Sequence, residues 1–102
     1  MEIEKMQEEL IKIFEDYNKR NNLKHNPDTT FHHLVEEVGE LSREIQKDKN
    51  DWRKEGFDKE KLADEVNDVI CECLILAKDY DVDITKAFSR KILEWRKRLN
   101  LD

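Results

Sequence analysis

Acidic residues recur in one pattern at two places in this chain. The first copy is Leu34-Val35-Glu36-Glu37-Val38-Gly39-Glu40-Leu41, and the second, 28 residues later, is Leu62-Ala63-Asp64-Glu65-Val66-Asn67-Asp68-Val69. Each reads apolar-x-acid-acid-Val-x-acid-apolar. On a helix, residues three apart share a face, so Glu37 pairs with Glu40 and Glu65 with Asp68. Two such pairs on facing helices make a ring of four carboxylates. Mg²⁺ takes oxygen ligands and keeps positions for water and for substrate phosphates. The chemistry to expect is therefore metal-assisted reaction at a phosphate, with some carboxyl pKa values raised by mutual repulsion when no metal is bound.

The competing reading is a solvated acidic face in a highly charged chain. Three features weigh against it. The acids flank an apolar stripe instead of opposing it, Leu34, Val38 and Leu41 tie the first triplet to a packing surface, and the second copy repeats the register. A redox di-iron site is disfavoured on spacing. Such bundles use Glu-x-x-His, and no histidine stands three residues after any of these acids; His32 and His33 precede them.

Composition sets the frame for these motifs. The 102 residues suffice for one domain spanning 1–102. Charged residues make up 43% and hydrophobic ones 37%, with two Gly and one Pro, a balance suited to helices with narrow apolar stripes. Such a small chain buries a low fraction of its surface, which makes an oligomer the expectation. The net charge of −6 disfavours a general nucleic-acid binder, which usually presents a basic surface. The cations gather late in the chain, at Lys86, Arg90, Lys91, Arg96, Lys97 and Arg98. Cys71 and Cys73 lie two apart, too few for zinc. They read as reduced, buried small residues of a cytoplasmic protein. No apolar run approaches the length of a bilayer span.

The elements that must carry the acids follow from periodicity. Ile3, Met6, Leu10, Ile13 and Tyr17 step by three and four, giving a first helix over about 2–20. Asp28, Thr29 or Thr30 can cap a second helix with the stripe Phe31, Leu34, Val38, Leu41 and Ile45, ending near Asp48. Residues 49–58 form a charged loop, and Asp58 is a candidate N-cap for a third helix carrying Leu62, Val66, Val69, Cys73, Leu76 and Tyr80. A fourth helix, from near Asp83 to Leu99, carries Ile84, Phe88, Ile92, Trp95 and Leu99. The fold class is all-α: an antiparallel, bundle-like set of four helices.

With those elements in place, the chain resembles the MazG-like all-α nucleoside triphosphate pyrophosphohydrolases. Their signature, EExxE followed after 12 to 28 residues by ExxD, corresponds to Glu36-Glu37-Val38-Gly39-Glu40 and Glu65-Val66-Asn67-Asp68, and the resemblance spans about residues 30–98. It implies cleavage of a nucleotide between the α and β phosphates. Glu37, Glu40, Glu65 and Asp68 would be ligands to Mg²⁺, for which Mn²⁺ can substitute, and Glu36 would be a further ligand or would orient the nucleophilic water. It also implies a homodimer or homotetramer. The family's Lys-x-x-x-Asn-x-x-Arg on the last helix, which grips phosphates, is matched by Lys91 and Arg98, but Trp95 stands at the Asn position.

Weaker signals surround this core. Trp52, His32 and Trp95 are candidates for contact with the base, since aromatic faces stack on any base. Phe14, Tyr17 and Asn18 could face the nucleoside from the first helix. Besides a (d)NTP pyrophosphohydrolase of nucleotide-pool housekeeping, two other readings fit. One is a phosphoribosyl-ATP pyrophosphohydrolase-like enzyme, and the other is a non-catalytic helical oligomerisation or interaction module.

Overall fold

The computed structural model describes residues 2–49 and 56–101. These form four helices: α1 (Ile3–Arg20), α2 (Pro27–Lys49), α3 (Lys59–Asp79) and α4 (Ile84–Arg98). Local chemistry sets most of the ends. Asp58 Oδ1 accepts from the Glu60 amide at 2.9 Å and Asp83 Oδ1 from the Lys86 amide at 3.0 Å, both as N-caps. The second helix starts earlier than its Asp-Thr-Thr run suggests. Asn26 is the capping side chain, accepting from the Asp28 amide at 2.9 Å. Pro27 takes the first helical position, where a missing N–H costs nothing. Thr30 is thereby freed from capping and is buried at 2% exposure.

The C-termini of α1, α3 and α4 share one device. Asn22, Asp81 and Asn100 adopt φ of 54°, and the next residue bonds back across the last turn: Leu23 to Asn18, Val82 to Ala77 and Leu101 to Arg96. These are Schellman caps with Asn or Asp in the left-handed position usually held by Gly, which is how a chain with two glycines still turns three times.

The principal packing is α2 against α3, joined by α1 against α3 and α1 against α4. Gln7 Nε2 ties α1 to α3 by donating to the Leu74 carbonyl at 2.9 Å. The α2–α3 seam departs from the expected stripes. Its least exposed α2 residues are Thr30, Leu34, Glu37, Leu41 and Glu44, in steps of three and four, while Phe31, Val38 and Ile45 are exposed. On α3 the seam holds Leu62, Glu65, Val69, Glu72, Leu76 and Asp79. Acids therefore alternate with apolar residues along the line of contact, and the helix faces are rotated so that Glu37 and Glu65 lie within it, not at its edge.

Among the described residues, the only buried apolar side chains are Leu74 and Ile75. Cys73, expected to be buried, is exposed, and Cys71 is half-buried; both are free thiols. The α4 stripe faces solvent, with Phe88 at 58% and Leu99 at 65% exposure. The radius of gyration is 16.9 Å, against roughly 13 Å for a compact chain of this length. Replacing either helix cap, Asp58→Ala or Asp83→Ala, should lower stability by about 1 kcal/mol, read as a shift in the urea midpoint at unchanged slope.

Candidate metal centre

Glu37 of α2 meets Glu65 and Asp68 of α3, and one carboxylate oxygen from each can be chosen so that all three lie within 4.8 Å of one another. Glu40 is exposed and not part of that closest set. It still raises the pKa of both Glu37 and Glu65 by its charge. Glu65 thus stands close to Glu37 and within the field of Glu40. The pairing is antiparallel: one turn before Glu37 on α2, His33 acts electrostatically on Glu72, one turn after Asp68 on α3.

The energetic cost of this arrangement is visible in the carboxyls. Burial, then the charges of Glu40, Asp68 and Glu65, push Glu37 up to about 7. Glu65 is raised as well, by burial and by Glu40 and Asp68. Glu37 Oε2 and Glu65 Oε2 are buried with no hydrogen-bond partner, as is one oxygen each of the seam acids Glu44 and Asp79. Buried polar atoms are rarely left this way.

The other seam acids are compensated. Lys47 Nζ donates to Glu44 Oε1 at 2.7 Å, and both side chains are nearly buried. His25 Nε2 donates to Asp79 Oδ1 at 2.5 Å, and its ring meets Phe14 edge-on at 4.9 Å. Burial raises Glu72, but the His33 and His25 imidazoles pull it back. Among the described residues, only the Glu37–Glu65 level has no basic side chain among its electrostatic partners. An all-oxygen set is what a hard divalent cation takes, so these residues fit such an ion.

The remaining expectations sort by place. Lys91 forms an ion pair with Glu94 of its own helix at 3.3 Å, Arg98 is exposed, and no described contact joins either to the acids. Glu36 is exposed beside Glu37, and His32 and Trp95 are exposed. Trp52 lies outside the described residues. His25, Glu44, Glu72 and Asp79 were not singled out from the sequence. A signal existed for two of them: the 28-residue echo continues to Glu44 and Glu72, and begins one turn earlier at His33 and Lys61.

A family model, the MazG nucleotide pyrophosphohydrolase domain, matches residues 25–99, most of the chain. The chain belongs to the MazG family. No curated protein and no solved structure matches it. Membership implies a nucleotide pyrophosphohydrolase, and the family generally uses a divalent metal. Both acidic motifs fall within the matched span. Among the described residues no helix is long and apolar enough to cross a membrane.

The raised Glu37 sets a sign for pH dependence. Its folded pKa, about 7, exceeds the ordinary 4.5. It thus favours the fold most below about 4.5 and loses that contribution as pH rises through 7. Without metal, the melting temperature should fall between pH 5 and 8 in EDTA. Saturating Mg²⁺ or Mn²⁺ should raise it most at the upper end, and Glu37→Gln should flatten both responses.

Proposed function

We propose that this MazG-family protein is a Mg²⁺-dependent hydrolase that cleaves nucleoside or deoxynucleoside triphosphates between the α and β phosphates, releasing monophosphate and pyrophosphate. The observation that carries this reading is the uncompensated Glu37–Glu65 level in a seam whose other acids have basic neighbours. Glu37, Glu65 and Asp68, joined by Glu40 from the rim, would hold the ion. Once bound, such an ion supplies positive charge to phosphoryl oxygens and acidity to an attacking water. Glu36, exposed next to Glu37, would orient that water or serve as a further ligand. Positioning and electrostatics of this kind account for most phosphoryl-transfer catalysis. The chain acts as a single domain, and its role is nucleotide-pool housekeeping in the cytoplasm.

The proposed working form is a homodimer or homotetramer. A core of Leu74 and Ile75 is too small to offset chain entropy alone. The uncovered faces of α4 (Phe88, Trp95, Leu99) and of the α2–α3 pair (Val35, Val38, Val66, Ile70) supply the missing apolar area. In such an assembly Lys91 and Arg98 would reach the phosphates of a neighbouring copy's site. Light scattering should give a multiple of the 12.4 kDa chain mass. Phe88→Glu combined with Leu99→Glu should shift it toward the monomer and lower the melting temperature.

Product analysis tests the reaction. Purified protein with a panel of NTPs and dNTPs should release pyrophosphate and monophosphate in Mg²⁺ but not in EDTA. Glu40→Gln and Asp68→Asn should each lose about a hundredfold or more in turnover while retaining helical circular dichroism. Orthophosphate release would mean a different bond is cut. Full turnover in both variants would remove these acids from the mechanism, and no turnover of any nucleotide by the wild type would favour an interaction module whose acids serve solubility.

A further inference from the structure

The metal centre has two ends, and they are not equivalent. The sequence echo makes Glu44 and Glu72 counterparts, each four residues beyond the last acid of its motif. At the Glu44 end the seam is closed: Glu44 is 8% exposed, and Lys47, its side chain 7% exposed, holds it at 2.7 Å. At the other end Glu72 is half-buried. It has no hydrogen bond to another described residue, and neither of its oxygens is sealed from solvent. Around it stand His33 from α2 and His25 from the α1–α2 connection. His25 is itself fixed by Asp79 at 2.5 Å and by the edge of Phe14. Glu72 lies one turn along α3 from Asp68, about 6 Å of axial rise.

A nucleotide held by its phosphates at Glu37, Glu65 and Asp68 must send its nucleoside away from the closed end. We propose that Glu72 reads the nucleobase and selects those that present an amino group on the pairing edge. This rests on the hydrolase reading above. A carboxylate only accepts hydrogen bonds. Cytosine and adenine offer exocyclic amino donors, as does guanine, whereas the corresponding position of uracil or thymine is a carbonyl oxygen. That oxygen faces Glu72 acceptor to acceptor. His33 and His25 oppose the effect of burial on this carboxyl and so favour its charged, accepting form. Glu72 is thus a specificity residue, outside the set that holds the ion.

The test compares dCTP with dUTP, matched in ring size and sugar. Wild type should favour dCTP in kcat/KM by about tenfold or more. Glu72→Leu and Glu72→Gln should bring that ratio toward one, because Leu offers no contact and Gln offers both donor and acceptor. Mn²⁺ affinity, read by calorimetry, should stay within about twofold in both variants. An unchanged dCTP-to-dUTP ratio in both variants overturns the proposal, as does a wild type with no preference. Calorimetry with the non-hydrolysable α,β-imido analogues of dCTP and dUTP in Mg²⁺ separates the two readings. Preferential dCTP-analogue binding that is lost in the variants, without turnover of the parent nucleotides, upholds base reading and counts against hydrolysis. Turnover with equal binding of both analogues overturns base reading alone. Neither binding nor turnover overturns both.

Discussion

Repulsion among the carboxylates of Glu37, Glu65, Asp68 and Glu40 is the constraint around which the chain is organised. Placing two of them in a helix–helix contact opposes folding, and the raised Glu37 carboxyl shows how strongly. Helices α2 and α3 hold the acids there because Leu34, Leu41, Leu62, Val69 and Leu76 occupy the alternate levels of the same seam. Apolar contact thus supplies the force that brings like charges together. An ion that binds only the folded form returns that energy as stability, which couples the completeness of the fold to the presence of the ligand.

Asymmetry in compensation gives the site its meaning. Glu44, Glu72 and Asp79 are as acidic and as near the seam as Glu37, yet each has a lysine or histidine beside it. Were the acids merely solubilising, no reason would exist for one level, among the described residues, to lack a base. The chain balances its other seam charges locally, and the proposed cation would balance the remaining level.

Much of this was legible in the sequence, for physical reasons. The two acidic motifs, four helices, the cap at Asp58 and the start of the last helix near Asp83 follow from spacing and from the side-chain chemistry of short acids. The rotation of the α2–α3 faces was not legible. Hydrophobicity alone put Phe31, Val38 and Ile45 inward, because that line and the line of Leu34 and Leu41 run side by side on one helix and hydrophobicity does not say which of them faces α3. Asn26 was overlooked as a cap because Asp28, Thr29 and Thr30 offer the same chemistry two to four residues later. The tie between His25 and Asp79 joins residues 54 apart, and no local pattern announces it. Lys91 and Arg98 matched a motif in type and spacing, but α4 sets them apart from the acids within one chain. The comparison with known families supports the domain across residues 25–99 without naming a substrate.

The most direct test of the account is calorimetric titration of the metal-free protein with Mn²⁺ near pH 6.5, in two buffers of different ionisation enthalpy. If the Glu37–Glu65 level holds a proton that the cation displaces, the two apparent enthalpies will differ by an amount corresponding to net proton release. That difference will vanish in Glu37→Gln. Binding with the same enthalpy in both buffers, or no binding at all, would contradict the claim that this cluster is built for a cation.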